Sequence, residues 1–204
     1  MIIGLSGVAG AGKDLFYSLL EQSLPCVKAS LADSLKRETS EWCKEHYGID
    51  PLRCTREEKD IIRPFLVFHG VNKRHSSKGR HWIKRLELEL NGIRSIRHIE
   101  THVQKTVVIT DIRYDEYEED EVSWLKNEMK GILVHVSQYK NVPRLNSEKR
   151  EFVAPANSEE ARNDPRLKEK ADYSIEWERI EAENRDELLK KEHIEPFISW
   201  LNKN

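Results

Sequence analysis

Cysteine is scarce in this chain of 204 residues, and Cys26, Cys43 and Cys54 are odd in number and lack metal-ligand spacing. They read as reduced thiols, which excludes a disulfide framework and points to the cytoplasm. Positive charge is not in excess either. Thirty-four Lys and Arg stand against thirty-six Asp and Glu, a formal charge of −2, so no general affinity for nucleic acid is expected and any anion recognition must be local. No run approaches the ~18 apolar residues of a membrane span. The chain opens directly on a strand, without the basic and apolar regions of a secretory signal. Internal repeats, a dividing linker and a Ser/His/Asp or Cys/His nucleophile pattern are all missing. What remains is a highly charged chain, 34% Asp, Glu, Lys and Arg, long enough for one α/β core with a small lid or insertion.

Within that frame one segment dominates. Gly7-Val8-Ala9-Gly10-Ala11-Gly12-Lys13-Asp14 follows the apolar run Met1-Ile2-Ile3-Gly4-Leu5 and nearly completes the phosphate-loop pattern G-x-x-x-x-G-K-[ST]. Glycines let successive amides turn inward around a polyphosphate, the following helix presents its positive end, and Lys13 is placed to reach β- and γ-phosphates. Asp14 stands where a Ser or Thr hydroxyl usually holds Mg²⁺. The segment predicts binding of a nucleoside triphosphate.

Five short apolar runs, at 2–6, 26–30, 106–111, 132–137 and 173–177, read as strands. Helical spacing marks 13–22, 32–47 (ending at Gly48), 80–90 (ending at Asn91-Gly92), 117–130 and 185–201, the last kinked or restarted at Pro196. Thr55-Arg56-Glu57-Glu58 is a capping box opening a further helix. Alternating strands and helices predict a doubly wound parallel sheet with the phosphate loop at its first turn. Two stretches interrupt the alternation: a mostly helical 50–105 and a polar 139–171. Both are candidates for parts that close over substrates.

Further chemistry is expected at the carboxyl edge of the sheet. The third strand ends Ile109-Thr110-Asp111-Ile112-Arg113, where Asp111 can serve Mg²⁺ directly or through water, and Arg113 emerges beside it. The cation-rich stretch His69 to Trp82 has two readings. Its Arg side chains suit phosphate and Trp82 suits a base, or the stretch is a solvated loop with Trp82 the first core residue of the next helix. Arg63 carries the same ambiguity. Arg144, Lys149 and Arg150 are cations in the second interrupting stretch, where a lid could bring charge to a reaction. His98 and His102 share a helix face but lack a third ligand. The acidic run 115–121 reads as a solvated helix start without function.

Taken in order, these pieces resemble the phage-type deoxynucleoside monophosphate kinases, a branch of the P-loop nucleoside and nucleotide kinases whose frame animal phosphomevalonate kinases share. The resemblance rests on the Gly-Lys-Asp ending at Asp14, Leu31-Ala32-Asp33-Ser34-Leu35-Lys36, Arg63-Pro64-Phe65-Leu66 with His69-Gly70, Arg80 and Trp82, Thr110-Asp111-Ile112-Arg113, Ser158-Glu159, and Ala171-Asp172-Tyr173-Ser174-Ile175.

It implies a single-domain, three-layer P-loop kinase fold of class α/β. Its five-stranded parallel sheet would come from a core of 1–48, 106–138 and 171–204, with a helical acceptor-binding insertion at about 50–105 and a lid at about 139–170. The implied reaction moves the γ-phosphoryl group of ATP, with Mg²⁺, to a deoxynucleoside 5′-monophosphate. Gly7, Val8, Ala9, Gly10, Ala11, Gly12, Lys13, Asp14 and Leu15 would hold ATP, and Asp14 and Asp111 would serve the metal. Arg113 and Arg144 would stabilise charge, while Asp33, Lys36, Arg63, Arg74, Arg80 and Trp82 would line the acceptor side.

Four residues depart from the pattern: Leu15 where Thr is expected, Trp177 where Asn is, and His135 and Gln138 near where an Arg is. The expected partners are small-molecule nucleotides, with no stable nucleic acid and no membrane. The expected site of action is the cytoplasm, the host's if the chain is phage-encoded. Phe197, Trp200 and Leu201 fit either core or a dimer surface, and analogy leans to a homodimer. A small-molecule kinase of the phosphomevalonate or dephospho-coenzyme A type and a non-catalytic nucleotide-binding module are the competing readings.

Overall fold

The computed structural model describes residues 1–100, 106–144 and 147–203; of these, 93–100, 144, 147 and 148 are described by backbone alone. Strand β1 (Ile2–Ser6) is buried along its whole length and lies centrally in the sheet. Strands β3 (Thr106–Ile109) and β4 (Ile132–Arg144) pair parallel on its two sides. Strand β2 (Cys26–Ala29) extends the sheet beyond β3, and β6 (Tyr173–Glu178) extends it beyond β4, both parallel. The parallel order is therefore β2-β3-β1-β4-β6, the expected five strands. A sixth was not foreseen: β4 runs on past its partners and folds back antiparallel with β5 (Ser147–Phe152). The polar, charged composition of that stretch reads as loop, because neither face of the hairpin is apolar enough to show a strand period.

Period-two alternation sends neighbouring strand residues to opposite faces. Ile2, Val107, Ile109 and Leu133 meet one core, with Ile83 and Leu86 of α4 (Arg80–Glu100) and Trp124 and Leu125. Ile3, Leu5, Val108 and Val134 meet the other, with Phe16, Leu19 and Leu20 of α1 (Lys13–Glu21) and with Phe197 of α8 (Glu195–Leu201). Helices thus cover both faces in a three-layer α/β arrangement. Phe197 is fully buried, and Trp200 and Leu201 pack partly buried against the same core. Helices α2 (Leu31–Tyr47) and α3 (Arg56–Ser76) share a smaller core of Cys43, Ile62 and Leu66 with Ile49.

Local signals account for most boundaries. Gly48 ends α2 in the left-handed region at φ 68°, and Thr55 and Glu58 form the full reciprocal capping box of α3. Two boundaries differ from expectation. Helix α4 runs through Asn91-Gly92 to Glu100. A mid-helix Gly costs only about 1 kcal/mol, and a helix already anchored by Trp82, Ile83, Leu86 and Leu90 propagates through it. The helix expected from 117 begins instead at α5 (Glu121–Ser123), capped by Asp120, and continues as a π-helical turn over Trp124–Glu128. The lid interval contains β5 and α6 (Ser158–Lys170). After β6 come α7 (Arg185–Leu189), a π-helical turn over Lys190–Ile194, and α8, which restarts with Pro196 in its first turn as its sequence requires. Among the described residues no helix is long and apolar enough to cross a membrane.

Candidate functional site: a phosphate loop at the sheet edge

The chain leaves β1 into a loop that only glycine could build at two positions. Gly7 has φ 125°, and a Cβ there would fall on the Val136 carbonyl of β4. Gly12 has φ 91°, and a Cβ would lie 2.6 Å from the Trp177 ring. Helix α1 starts directly after Gly12, so its positive end adjoins the loop. Lys13 folds back across the loop, its Nζ donating to the Gly7 carbonyl at 2.6 Å and the Val8 carbonyl at 2.8 Å. Burial, and next the Arg113 charge, lower its pKa; Glu160, Asp111 and Asp14 oppose the shift. The sequence-predicted Lys13, Asp14, Asp111 and Arg113 therefore share one electrostatic neighbourhood.

Their individual settings are unequal. Asp14 is open to solvent, with its side chain 81% exposed, and pairs with Lys28 at 2.6 Å. Asp111 is 6% exposed and accepts from Ser30 Oγ at 2.9 Å and from the Leu31 and Ala32 amides at 2.8 Å each. Three donors occupy most of the roughly four acceptor positions of a carboxylate. Asp111 is thus first a cap for the buried start of α2. Arg113 is held by its backbone, whose N–H donates to Glu121 Oε2 at 2.6 Å, while its side chain reaches Glu160 Oε1 at 4.0 Å. Leu15 packs partly buried against the α1 core and brings no hydroxyl to the loop.

On the acceptor side three of the expected residues are engaged within the protein. Arg74 is only 4% exposed. It pairs with Glu116 at 2.6 Å and with the fully buried Asp120, and the Tyr114 ring lies 3.8 Å from its guanidinium. It ties α3 to the segment after β3, because a buried cation must be matched by buried acceptors. Arg80 is engaged by both carboxylate oxygens of Glu128. Trp82 lies in the core with its indole N–H on the Gly70 carbonyl at 3.1 Å, which leaves no open ring face for a base. Asp33 and Lys36 pair with each other at 2.6 Å, and Arg63 pairs with Asp60 on the surface at 2.9 Å. The side chain of Arg144 lies outside the described residues, as do those of His98 and His102.

Sequence reasoning missed several residues that shape the site. Trp177, fully buried, donates its indole N–H to the Ala11 carbonyl at 3.0 Å and floors the loop. The acidic run is solvated only in part: Glu118 and Glu119 are exposed, whereas Asp120 and Glu121 at the helix start are buried. Asp120 gathers the Glu116, Tyr117 and Glu121 amides, and Glu121 gathers those of Arg113 and Tyr114. Burial pushes the Glu121 pKa up to about 8, with the Asp120 and Asp111 charges adding to the rise against the Arg113 amide. Glu38 is a further polar centre between α2, α3 and α4. Burial pushes its pKa up, yet hydrogen bonds from His69 and His81 and the Arg85 charge hold it at about 2. The acidic character of 115–121 was visible in sequence, but its inward direction was not, since no local pattern announces a buried Arg partner forty residues away.

Neither a protein-family model nor a curated protein matches the chain. Among solved structures, the shikimate kinase of Aquifex aeolicus vf5 matches over 100% of both chains at 16% identity, with a TM-score of 0.40. The strand order and loop geometry described above, rather than this likeness, define the fold.

Proposed function

We propose that this chain is an ATP-dependent phosphotransferase that passes the γ-phosphoryl group to a deoxynucleoside 5′-monophosphate, releasing ADP and the diphosphate. One observation carries the ATP half: a glycine-shaped amide loop at the head of α1, with Lys13 lying across it and Arg113 beside it. Such a loop holds phosphates through fixed N–H groups, and the lysine follows the charge of the transferring group. Little covalent chemistry is asked of the protein; alignment of donor and acceptor and stabilisation of charge supply the rate. Lys13 leaves the Gly7 and Val8 carbonyls for the phosphates, and Arg113, anchored by its backbone, offers its guanidinium to the acceptor edge.

The donor set also fits Mg²⁺, a hard cation that keeps several waters and takes one or two carboxylates. Asp14 offers a solvent-facing carboxylate, and Asp111 retains one acceptor position beyond its three donors, suited to a metal-bound water. Bound there, Mg²⁺ would neutralise triphosphate charge.

The acceptor half rests on the ordered resemblance of the motifs. A second reading, a small-molecule kinase on the same frame, is favoured by the engagement of Arg74, Arg80 and Trp82 within the protein. ADP release from ATP and Mg²⁺ against deoxy- and ribonucleoside monophosphates and phosphomevalonate separates the two. Turnover with one or more deoxynucleotides, lost in Lys13→Ala, is the expected result. Turnover with phosphomevalonate alone establishes the second reading, and full turnover in Lys13→Ala refutes both.

A further inference from the structure

The phosphate loop already has an acidic occupant. Glu160, in the first turn of α6, accepts the Ala9 amide at 3.2 Å through Oε2, and the Ala156 amide at 3.0 Å through the same oxygen. Its other oxygen lies 4.0 Å from Arg113 Nη1, and its charge acts on Lys13 in the direction a bound anion would. The side chain is only 15% exposed. One carboxylate thus accepts a loop amide, lies at ion-pair distance from Arg113 and adds its charge to the field around Lys13, the two cations that the proposed reaction assigns to phosphate.

The contact is built into the docking of α6 rather than being the stray reach of a surface side chain. Residues 160, 164 and 168 recur every four positions and so share one helix face. Asp164 Oδ1 lies 3.0 Å from Nε2 of the buried His135 on β4, and Lys168 bonds Glu176 of β6 at 2.7 Å. The helix is therefore clasped along β4 and β6, and its first turn delivers Glu160 to the loop.

We infer that Glu160 is an internal competitor for the phosphate loop: in the nucleotide-free chain it occupies an amide beside Lys13 and Arg113, and a triphosphate must displace it to bind. This rests on the loop being a phosphate site. The physical reason is like-charge exclusion, since a carboxylate and a polyphosphate cannot both lie unprotonated against one amide and one pair of cations without strong repulsion. Binding of phosphate is then coupled to release of the first turn of α6, and the interval that follows β4 responds to the state of the loop.

The test is titration calorimetry of the full chain with ATP and with inorganic tripolyphosphate, for wild type, Glu160→Gln, Glu160→Ala and Lys13→Ala. Gln keeps the length of the side chain and can still accept the Ala9 amide through its carbonyl oxygen, and thermal melts check that each variant is folded. The expected result is binding about tenfold tighter in both Glu160 variants for both probes, with binding lost in Lys13→Ala. Equal affinity in wild type and Glu160→Gln, with Lys13→Ala still defective, overturns the competitor and leaves the phosphate loop standing. Weaker binding in Glu160→Gln also overturns it, since the carboxylate would then belong to the bound state. Failure of every variant, wild type included, to bind either probe removes the loop reading and this inference together.

Discussion

Glu121 shows how much one side chain's surroundings change its chemistry. Its sequence neighbours are acidic and polar, yet the residue is fully desolvated and presents Oε2 to the Arg113 and Tyr114 amides. In the unfolded chain a glutamate titrates at about 4.3, whereas in the fold Glu121 keeps its proton to about pH 8. The folded chain therefore binds the extra proton across that window. The stability this supplies is complete below about pH 4.3, declines as pH rises across that window, and is gone above about pH 8. Paired urea melts at about pH 5 and about pH 8.5 should show wild type losing on the order of a few kcal/mol relative to Glu121→Gln. Parallel pH dependence in the two proteins would place the proton elsewhere. The backbone of Arg113 hangs from this side chain, so Glu121 is a positioning residue for the candidate site.

At the scale of elements, the buried Arg74 centre joins α3, the segment after β3, and α6. Arg74 reaches Glu116 and Asp120, while Arg162 and Asn163 of α6 reach Glu116 from the other side. Removing one partner of a buried pair leaves the other charged and unmatched, at about 3–5 kcal/mol. Arg74→Ala is accordingly expected to lower the melting temperature strongly, whatever it does to turnover. A variant with unchanged stability and a raised KM for the acceptor would restore Arg74 to the substrate side. The same elements show where sequence patterns stop being informative. Capping boxes and left-handed glycines are local, so Thr55, Glu58 and Gly48 were legible. The β4–β5 hairpin has no apolar face to mark it, and the inward turn of Asp120 is set by a distant partner, so neither was.

For the whole molecule, the proposed activity ties stability to ligand. A nucleotide held only by the folded chain stabilises it by about 2.7 kcal/mol at a hundredfold excess over Kd. For a domain of this size that corresponds to a rise of about 5–10 °C in melting temperature. Wild type is expected to show this shift with ATP and Lys13→Ala to lack it, as followed by differential scanning calorimetry. Equal shifts in the two proteins would move the binding site away from the loop.

The sequence by itself determined the parallel α/β frame, the order of its strands and helices along the chain, and the glycine-lysine loop at the first turn. Each is written in local periodicity or in backbone freedom, and needs no distant partner to be read. It placed Lys13, Asp14, Asp111 and Arg113 at one edge, because chain order and strand direction fix which strand ends meet there. Only the tertiary structure decided what each of the other candidate side chains engages. Arg74, Arg80 and Trp82 share their residue types with a binding surface, and what separates them is the partner that folding brings: Asp120, Glu128 and the Gly70 carbonyl. Tertiary packing likewise placed Trp177 beneath the loop and Glu160 against it. Those contacts span 166 and 151 residues of chain. At such separations no local pattern constrains the pairing, and only the packing of β6 and α6 beside the loop brings the groups together.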